Sequence, residues 1–314
     1  MDNYKNKLIG VLGLGLSGQS AIKYLTNKYI NIVAWDDTEI IRQRFKKKNI
    51  SILDLSITKN LKLINYLFVS PGINPKHPVL MLAKKYKIEI ICDLDIFWQQ
   101  ESNTTNKFIV VTGSNGKSTV TSIIYHLLKS IKYKTILGGN IGIPVLSLKK
   151  SKKATYYIIE ASSYQLELVK KLKPDIAILT NLTPDHIEWH GSLANYISAK
   201  EKLFLNQDNN NLAIINVDKQ EGLNLFNRIN QRKIKPKIIK ISTNKKLNNT
   251  IYLDKENIID NMNNQNILIG KVKDLTVLKG LHNIENILFA IATSIHIGLT
   301  HDQIRANLPK FKSL

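Results

Sequence analysis

Residues 108–128 read FIVVTGSNGKSTVTSIIYHLL. Four apolar, β-prone residues run into Thr112-Gly113-Ser114-Asn115-Gly116-Lys117-Ser118-Thr119, after which apolar residues recur at Val120, Ile123, Ile124, Leu127 and Leu128. That order is a buried strand, a tight glycine turn and an amphipathic helix. Such a strand delivers the turn to the carboxyl edge of a sheet. There Gly113 and Gly116 let backbone N–H groups close around phosphate oxygens, and the helix start adds positive potential. Lys117 then reaches the β- and γ-phosphates, and the Ser118 or Thr119 hydroxyl a Mg²⁺. The loop is shorter than the usual G-x-x-x-x-G-K-[ST], because the residue five before Gly116 is Val111. A chance glycine turn before an ordinary helix is the alternative, and the strand, the Gly-Lys-Ser and the helix in sequence argue against it.

Upstream, residues 8–12 form a short apolar strand, followed by Gly13-Leu14-Gly15-Leu16-Ser17-Gly18 and a helix through Ala21, Ile22 and Leu25. A second strand over residues 30–35 ends in Asp36-Asp37-Thr38. A βαβ unit with G-x-G-x-x-G and an acid about 20 residues further on places a diphosphate on a helix N-terminus and a carboxylate on a ribose hydroxyl. A dinucleotide satisfies that geometry, and so does any nucleotide diphosphate. Residues 67–70 make another strand, which delivers Ser70-Pro71-Gly72-Ile73-Asn74 to the same edge. A helix over 80–85 and a strand over 88–91 follow, and the polar run 99–106 reads as a linker. The fold class is therefore α/β: an N-terminal Rossmann-like parallel-sheet domain, residues 1–104, followed by a central P-loop α/β ATPase domain, residues 105–314.

In the second domain, strands over 134–137, 156–159 and 176–180 lead into Gly138-Gly139-Asn140-Ile141-Gly142, Glu160-Ala161-Ser162-Ser163-Tyr164-Gln165 and Asn181-Leu182-Thr183-Pro184-Asp185-His186. A helix with Lys200 well inside it comes next, and strands over 212–217 and 238–241 continue the pattern. Residues 244–273 read as hairpins and loops, and from Gly280 a helix resumes with Ile284, Leu288, Ile291 and Ile295 on one face. Glu160 closing an apolar strand needs a cation or donors, and beside a phosphate loop Mg²⁺ is the obvious cation.

The 314 residues suffice for about two domains with their own cores. No apolar run approaches the ~18 to 20 residues of a membrane span, and the first 15 residues lack the layout of a signal peptide. A cytoplasmic protein without membrane insertion is expected. Cys92 is the only cysteine, which excludes an internal disulfide and a cysteine metal site, and its apolar surroundings point to a buried thiol. The net charge of +21 raises the question of a nucleic-acid partner. The charge is lysine spread end to end among asparagines and isoleucines, residues with A/T-rich codons, while arginine is confined to Arg42, Arg44, Arg228, Arg232 and Arg305. Compositional drift accounts for this better than a phosphate-reading surface, so no nucleic acid is expected.

Taken as a set, T-G-S-N-G-K-S-T, G-G-N-I-G, E-A-S-S-Y-Q-L-E from Glu160, N-L-T-P-D-H up to His186 and Y-I-S-A-K ending in Lys200 resemble the Mur ligases of peptidoglycan synthesis, over nearly the whole chain. Their order, together with G-L-G-L-S-G and S-P-G-I-N, most resembles the branch that joins D-glutamate to UDP-N-acetylmuramoyl-L-alanine with ATP. The resemblance implies that the N-terminal domain binds UDP and not a nicotinamide cofactor, through Leu16, Ser17, Asp36 and Gly72, with Asn140 and Ser162 as further substrate contacts. ATP would lie on Gly113, Ser114, Asn115, Gly116, Lys117, Ser118 and Thr119, with Asn283 and Asn286 on the same side. Lys117, Glu160, His186 and Lys200 would carry catalysis, and Ser118, Glu160, His186 and Lys200 would hold Mg²⁺. Lys200 would do so as a carbamate formed with CO₂, an anionic oxygen donor where an ammonium would repel the cation.

Two positions depart from the family: Thr38 stands where relatives often carry a basic residue, and Trp189 where an arginine is common. In the family a third domain begins about where Phe311-Lys312-Ser313-Leu314 ends the sequence, so that domain is expected to be absent; a monomer is expected. The alternatives are an inactive nucleotide-binding remnant of such a ligase, or another ligase of the superfamily such as folylpolyglutamate synthase, a group that lacks the N-terminal G-x-G-x-x-G domain.

Overall fold

The computed structural model describes residues 4–28, 30–48, 50–102, 104–151, 153–275 and 280–312. Ser313 and Leu314, the end of the sequence, lie outside them. The first sheet consists of β1 (Leu8–Leu12), β2 (Asn31–Trp35), β3 (Tyr66–Val69) and β4 (Glu89–Ile91), in the spatial order β2-β1-β3-β4, with every pairing parallel. Parallel neighbours need crossovers, and these are α1 (Leu16–Thr26), α2 (Glu39–Lys46), α3 (Thr58–Leu61) and α4 (Pro78–Lys85). All strand ends therefore point to one edge, where the Gly13 turn and residues 70–74 meet.

The helix α5 (Asp93–Glu101) leads to the second sheet. That sheet contains β5 (Lys107–Thr112), β6 (Thr135–Gly139), β7 (Tyr156–Glu160), β8 (Ile176–Leu179), β9 (Leu212–Asn216), β10 (Lys237–Ser242), β11 (Thr250–Asp254), β12 (Asn257–Asp260) and β13 (Ile267–Lys271). Its order is β13-β12-β11-β10-β9-β8-β5-β7-β6. The pairings from β6 across to β11 are all parallel, and only β12 and β13 run antiparallel. The helices are α6 (Lys117–Ser130), α7 (Ser163–Leu168), α8 (Ile187–His190), α9 (Leu193–Glu201), α10 (Gln220–Asn230), α11 (Leu281–Ile297) and α12 (His301–Asn307). β5 is an interior strand, third from the β6 edge, and is buried on both faces: Phe108, Ile109, Val110 and Val111 are almost fully covered, as the continuous apolar run of an interior parallel strand requires.

Three of the expectations change in detail. The polar run 99–106 begins inside α5, because Glu101 is buried against Lys150 at 2.7 Å and takes a hydrogen bond from Asn106 at 3.1 Å. The segment 244–273 is not only hairpins: β11 extends the parallel sheet before the antiparallel turn-back. Lys200 lies in the last turn of α9, not in its middle.

One face of the second sheet is covered by α6 and by the largely apolar α11. The other face shares a continuous core with the first sheet, through α1, α5 and residues 145–148. Phe97 of α5 sits at the junction, with its ring 5.8 Å from Phe108 and 5.0 Å from Tyr157, edge-on to both. Cys92 is buried in the same core, and burial pushes its thiol well up. Phe97→Ala should cost about 3–5 kcal/mol of unfolding free energy, read from urea denaturation monitored at both sheets; a loss below about 1 kcal/mol would show that the two sheets do not depend on this packing.

Candidate active site

The strand order builds the site. β5 carries the Thr112–Thr119 loop, with β7 on one side and β8 on the other. Val111 is in register with Glu160 at the end of β7, and Gly139 of β6 is in register with the same residue. Glu160 is therefore delivered to the loop by backbone pairing, 2% exposed. Its carboxylate takes hydrogen bonds from Ser118 Oγ at 2.7 Å and Asn140 Nδ2 at 2.8 Å. On the β8 side, Asn181 Oδ1 accepts from Asn115 N at 2.9 Å, Thr180 Oγ1 donates to Asn115 O at 2.6 Å, and Ser114 Oγ donates to Thr183 O at 2.7 Å.

The loop closes as its glycines require. Gly113 has φ +150 and Gly116 φ +82, and a Cβ at Gly116 would overlap the Asn286 side chain, which α11 brings against the loop. Two lysine amines converge on one carbonyl: Lys200 Nζ donates to Gly113 O at 2.7 Å, and Lys117 Nζ to the same oxygen at 3.1 Å and to Ser114 O at 2.8 Å. Lys200 is 2% exposed. Burial, and then the charge of Lys117, push its amine down to about 7, against the pull of Asp185 and Glu160. Burial also lowers Lys117, opposed by Glu160 and Asp185.

His186 is placed differently. Its backbone is left-handed at φ 51, its side chain is 46% exposed, and its Nε2 lies 3.3 Å from Asp185 Oδ2. Its ring packs 4.8 Å from Tyr164, which also contacts Trp189 at 4.4 Å. Trp189 also packs edge-on against His190 at 4.6 Å. Among the described residues no three His, Cys, Asp or Glu side chains gather as a metal cluster. The oxygen donors brought together are Ser118 and Glu160, a hydroxyl and a carboxylate that suit a hard cation such as Mg²⁺.

Two cavities flank this centre. A cleft of about 590 Å³ runs between the two sheets, and Leu16, Ser17, Asp36, Gly72, Asn140 and Ser162 all line it. Asp36 anchors its own turn there, accepting from Leu14 N at 2.8 Å and Thr38 N at 2.9 Å. Ser162 caps α7, with Gln165 closing the capping box. The second cavity, about 440 Å³, opens beside Asn115 and is lined by Asn181, Asn216, Lys219, His282 and Glu285. Asn283 lies in the first turn of α11, at the same end as Asn286.

Some of these residues escape sequence reasoning. Arg42 donates to the carbonyls of Asp36 at 2.7 Å and Asp37 at 2.8 Å while lying 4.3 Å over Trp35. Its guanidinium lies beside the Asp36 turn, and the signal was its place four residues after Thr38, the N-cap of the helix that follows that turn. Gln165 and Tyr164 line the cleft, and Asn216 ends a strand at the same sheet edge, a position that marks ligand contacts in parallel sheets. Gly116→Ala should abolish nucleotide binding and destabilise the fold by about 1–3 kcal/mol, since it combines left-handed backbone with overlap. Calorimetric titration and thermal melting check this, and an alanine variant with the parent's affinity would refute it.

Residues 111–294 match the family model described as Mur ligase middle domain, and residues 7–92 that of the Mur ligase MurD-like N-terminal domain. The chain is 37% identical over 318 residues to the UDP-N-acetylmuramoylalanine--D-glutamate ligase of Rickettsia prowazekii (strain Madrid E), covering 100% of this chain and 68% of that protein. It is 41% identical over 238 residues to the protein of the same name from Wolbachia pipientis wMel, covering 74% of this chain and 45% of that protein. Among solved structures, the UDP-N-acetylmuramate:L-alanyl-gamma-D-glutamyl-meso-diaminopimelate ligase from Neisseria meningitides superposes with a TM-score of 0.61 at 14% identity, over 98% of this chain and 99% of that one. The UDP-N-acetylmuramate-alanine ligase MurC from Thermotoga maritima gives 0.54 at 18%, over 98% and 69%. At those identities the structures speak to the fold alone, whereas the family model spans more than half of the sequence. The chain belongs to the Mur ligase family.

Proposed function

We infer that this chain joins D-glutamate to UDP-N-acetylmuramoyl-L-alanine, driven by ATP, in peptidoglycan biosynthesis. The observation that carries the reading is the continuity of the cleft: it begins at the Gly13 turn of the first sheet and ends at Asn140, whose amide is bonded to Glu160 beside the phosphate loop. A long ligand with a diphosphate at one end and a carboxylate at the other fits that course. Residues 1–104 then serve the UDP-linked substrate and residues 105–314 the nucleotide. The N-terminal sheet sets the chain apart from folylpolyglutamate synthases.

In this reading, the γ-phosphoryl of ATP passes to the substrate carboxylate: a C–O–P bond forms as the bond to the ADP oxygen breaks. The amine of D-glutamate then attacks the acyl carbon, releasing phosphate and a proton. Mg²⁺, when bound, would neutralise phosphate charge, with Ser118 and Glu160 as its protein oxygens. The chain's own part is alignment and charge. The loop amides and Lys117 face the phosphates, and the adenosine side enters the cavity lined by Asn181, Lys219 and His282. Asn140 and Ser162 orient the reacting end of the substrate. His186, on an exposed turn beside Asp185 and Tyr164, would serve as a further ligand on the metal side. The reaction, which consumes ATP, is assigned to the cytoplasm. No helix among the described residues is long and apolar enough to cross a membrane.

Lys200 becomes a carbamate. An amine held near pH 7 is partly free at neutrality, and only the free amine adds to CO₂. The modification replaces a cation by an anion next to Glu160 and Asp185, so it is favoured when Mg²⁺ is present to pair with it. Incubation with ¹³C-bicarbonate should give a carbamate carbon resonance whose intensity rises with pH through about 7, as the amine loses its proton. Lys200→Met should remove it, and a resonance that persists in that variant would assign the carbamate elsewhere.

The activity itself is tested by phosphate release and adduct formation with ATP, Mg²⁺, UDP-N-acetylmuramoyl-L-alanine and D-glutamate. Lys117→Ala should weaken ATP by about 1.5–3 kcal/mol, the range of a charge-assisted contact. Thermal stabilisation by NAD and not by UDP would overturn the assignment of the cleft.

A further inference from the structure

The Y-I-S-A-K stretch supplies Lys200 to the site, while its first residue, Tyr196, has no part in the chemistry described so far. Tyr196 lies on α9 one turn before Lys200 and is 1% exposed. Its phenol oxygen is 2.6 Å from Ser114 Oγ of the phosphate loop. The direction of that bond follows from counting protons. Ser114 Oγ has one proton and three polar neighbours: it accepts from Thr183 N at 2.9 Å, and Thr183 O, which can only accept, lies 2.7 Å away. The Ser114 proton goes to Thr183 O, and Tyr196 donates to the remaining lone pair. The reverse direction would take that proton from Thr183 O and leave the buried phenol hydrogen without an acceptor among the described residues.

The ring itself is held in place, with His190 edge-on at 5.4 Å and Lys200 Nζ 4.7 Å over its face. Ser114 in turn ties the loop together: its N donates to Asn181 O at 3.0 Å, and its carbonyl accepts from Lys117 Nζ at 2.8 Å. A shift of Ser114 therefore shifts the ammonium that faces the phosphates. A short loop with Gly113 and Gly116 on either side of this residue does not keep one shape unaided. We propose that Tyr196 is a positioning residue for the phosphate loop: from α9, its phenol pins Ser114 against Thr183 and keeps the loop in the shape that takes a nucleotide's phosphates. This rests on the reading of the loop as the ATP site. Lys200 acts on the same loop through the Gly113 carbonyl, so the two contacts made by α9 must be told apart.

The full chain is titrated by calorimetry with ATP and, separately, with UDP-N-acetylmuramoyl-L-alanine. Tyr196→Phe keeps the ring against Lys200 and removes the hydroxyl. It should weaken ATP about fivefold to tenfold, the equivalent of roughly one hydrogen bond, and leave the affinity for the UDP-linked substrate unchanged. Amide hydrogen exchange at residues 114–117, measured without ligand, should speed up. Ser114→Ala removes the acceptor of the same bond, so adding Tyr196→Phe to it should cost no further ATP affinity. Full additivity of the two changes overturns the inference, as does an equal loss for both ligands, the mark of lost stability. The effect of Tyr196→Phe should be the same with and without bicarbonate; a loss of ATP affinity seen only with bicarbonate would place the effect on Lys200 and overturn the inference. Unchanged exchange at the loop overturns it as well. If the parent chain binds no ATP while exchange responds as expected, the reading of the loop falls, and the bearing of Tyr196 on the nucleotide with it.

Discussion

Backbone pairing of β5 between β7 and β8 is the constraint on which the rest depends. A parallel sheet brings every strand's carboxyl end to one edge, so the neighbours of β5 decide what meets the phosphate loop. β7 contributes a carboxylate and, through its own neighbour β6, the Asn140 amide; β8 contributes Asn181 and Thr183. None of these residues is close to the loop in sequence. They are brought to it by ladder hydrogen bonds that are themselves secured by four consecutive buried side chains of β5.

Legibility in the sequence followed that same logic. Strand–turn–helix at residues 108–128 could be read because a central parallel strand, a glycine turn and an amphipathic helix each have a local signature. The six cleft residues named from sequence do meet in one place, because each terminates or follows a strand. What could not be read was the partner across space. Glu101 looked like linker composition because Lys150, its buried counterion, lies far along the chain. Arg42 was hidden one helical turn behind Thr38. His186 illustrates the opposite limit: its motif was recognised, yet its side chain lies on an exposed left-handed turn against Tyr164 and Asp185, a conformation no pattern of residue types encodes.

Buried charge is concentrated in two places, the loop and α5. In α5, Asp93, Asp95 and Glu101 are all nearly inaccessible and all are matched by donors from the second sheet or its connections. Such pairing adds little net stability over an apolar contact of the same size, but breaking one side of it is costly. Its effect is to fix orientation: apolar packing at Phe97 would tolerate a small rotation of the first sheet, whereas directional bonds donated to Asp95 by three successive amides do not. A cleft whose two walls come from different sheets needs that kind of fixation.

The convergence of Lys117 and Lys200 on the Gly113 carbonyl also bears on what a ligand must offer the loop. Lys117 already has two acceptors in its own loop, so recruiting it to a phosphate is an exchange of partners and not a simple gain. A doubly charged terminal phosphate can outbid two neutral carbonyls for that ammonium; a sugar hydroxyl or a single ester oxygen cannot. The lysine thus responds to a ligand that brings a charged phosphate to the loop and ignores one that offers only neutral oxygens, because what it gives up is two carbonyl contacts at once.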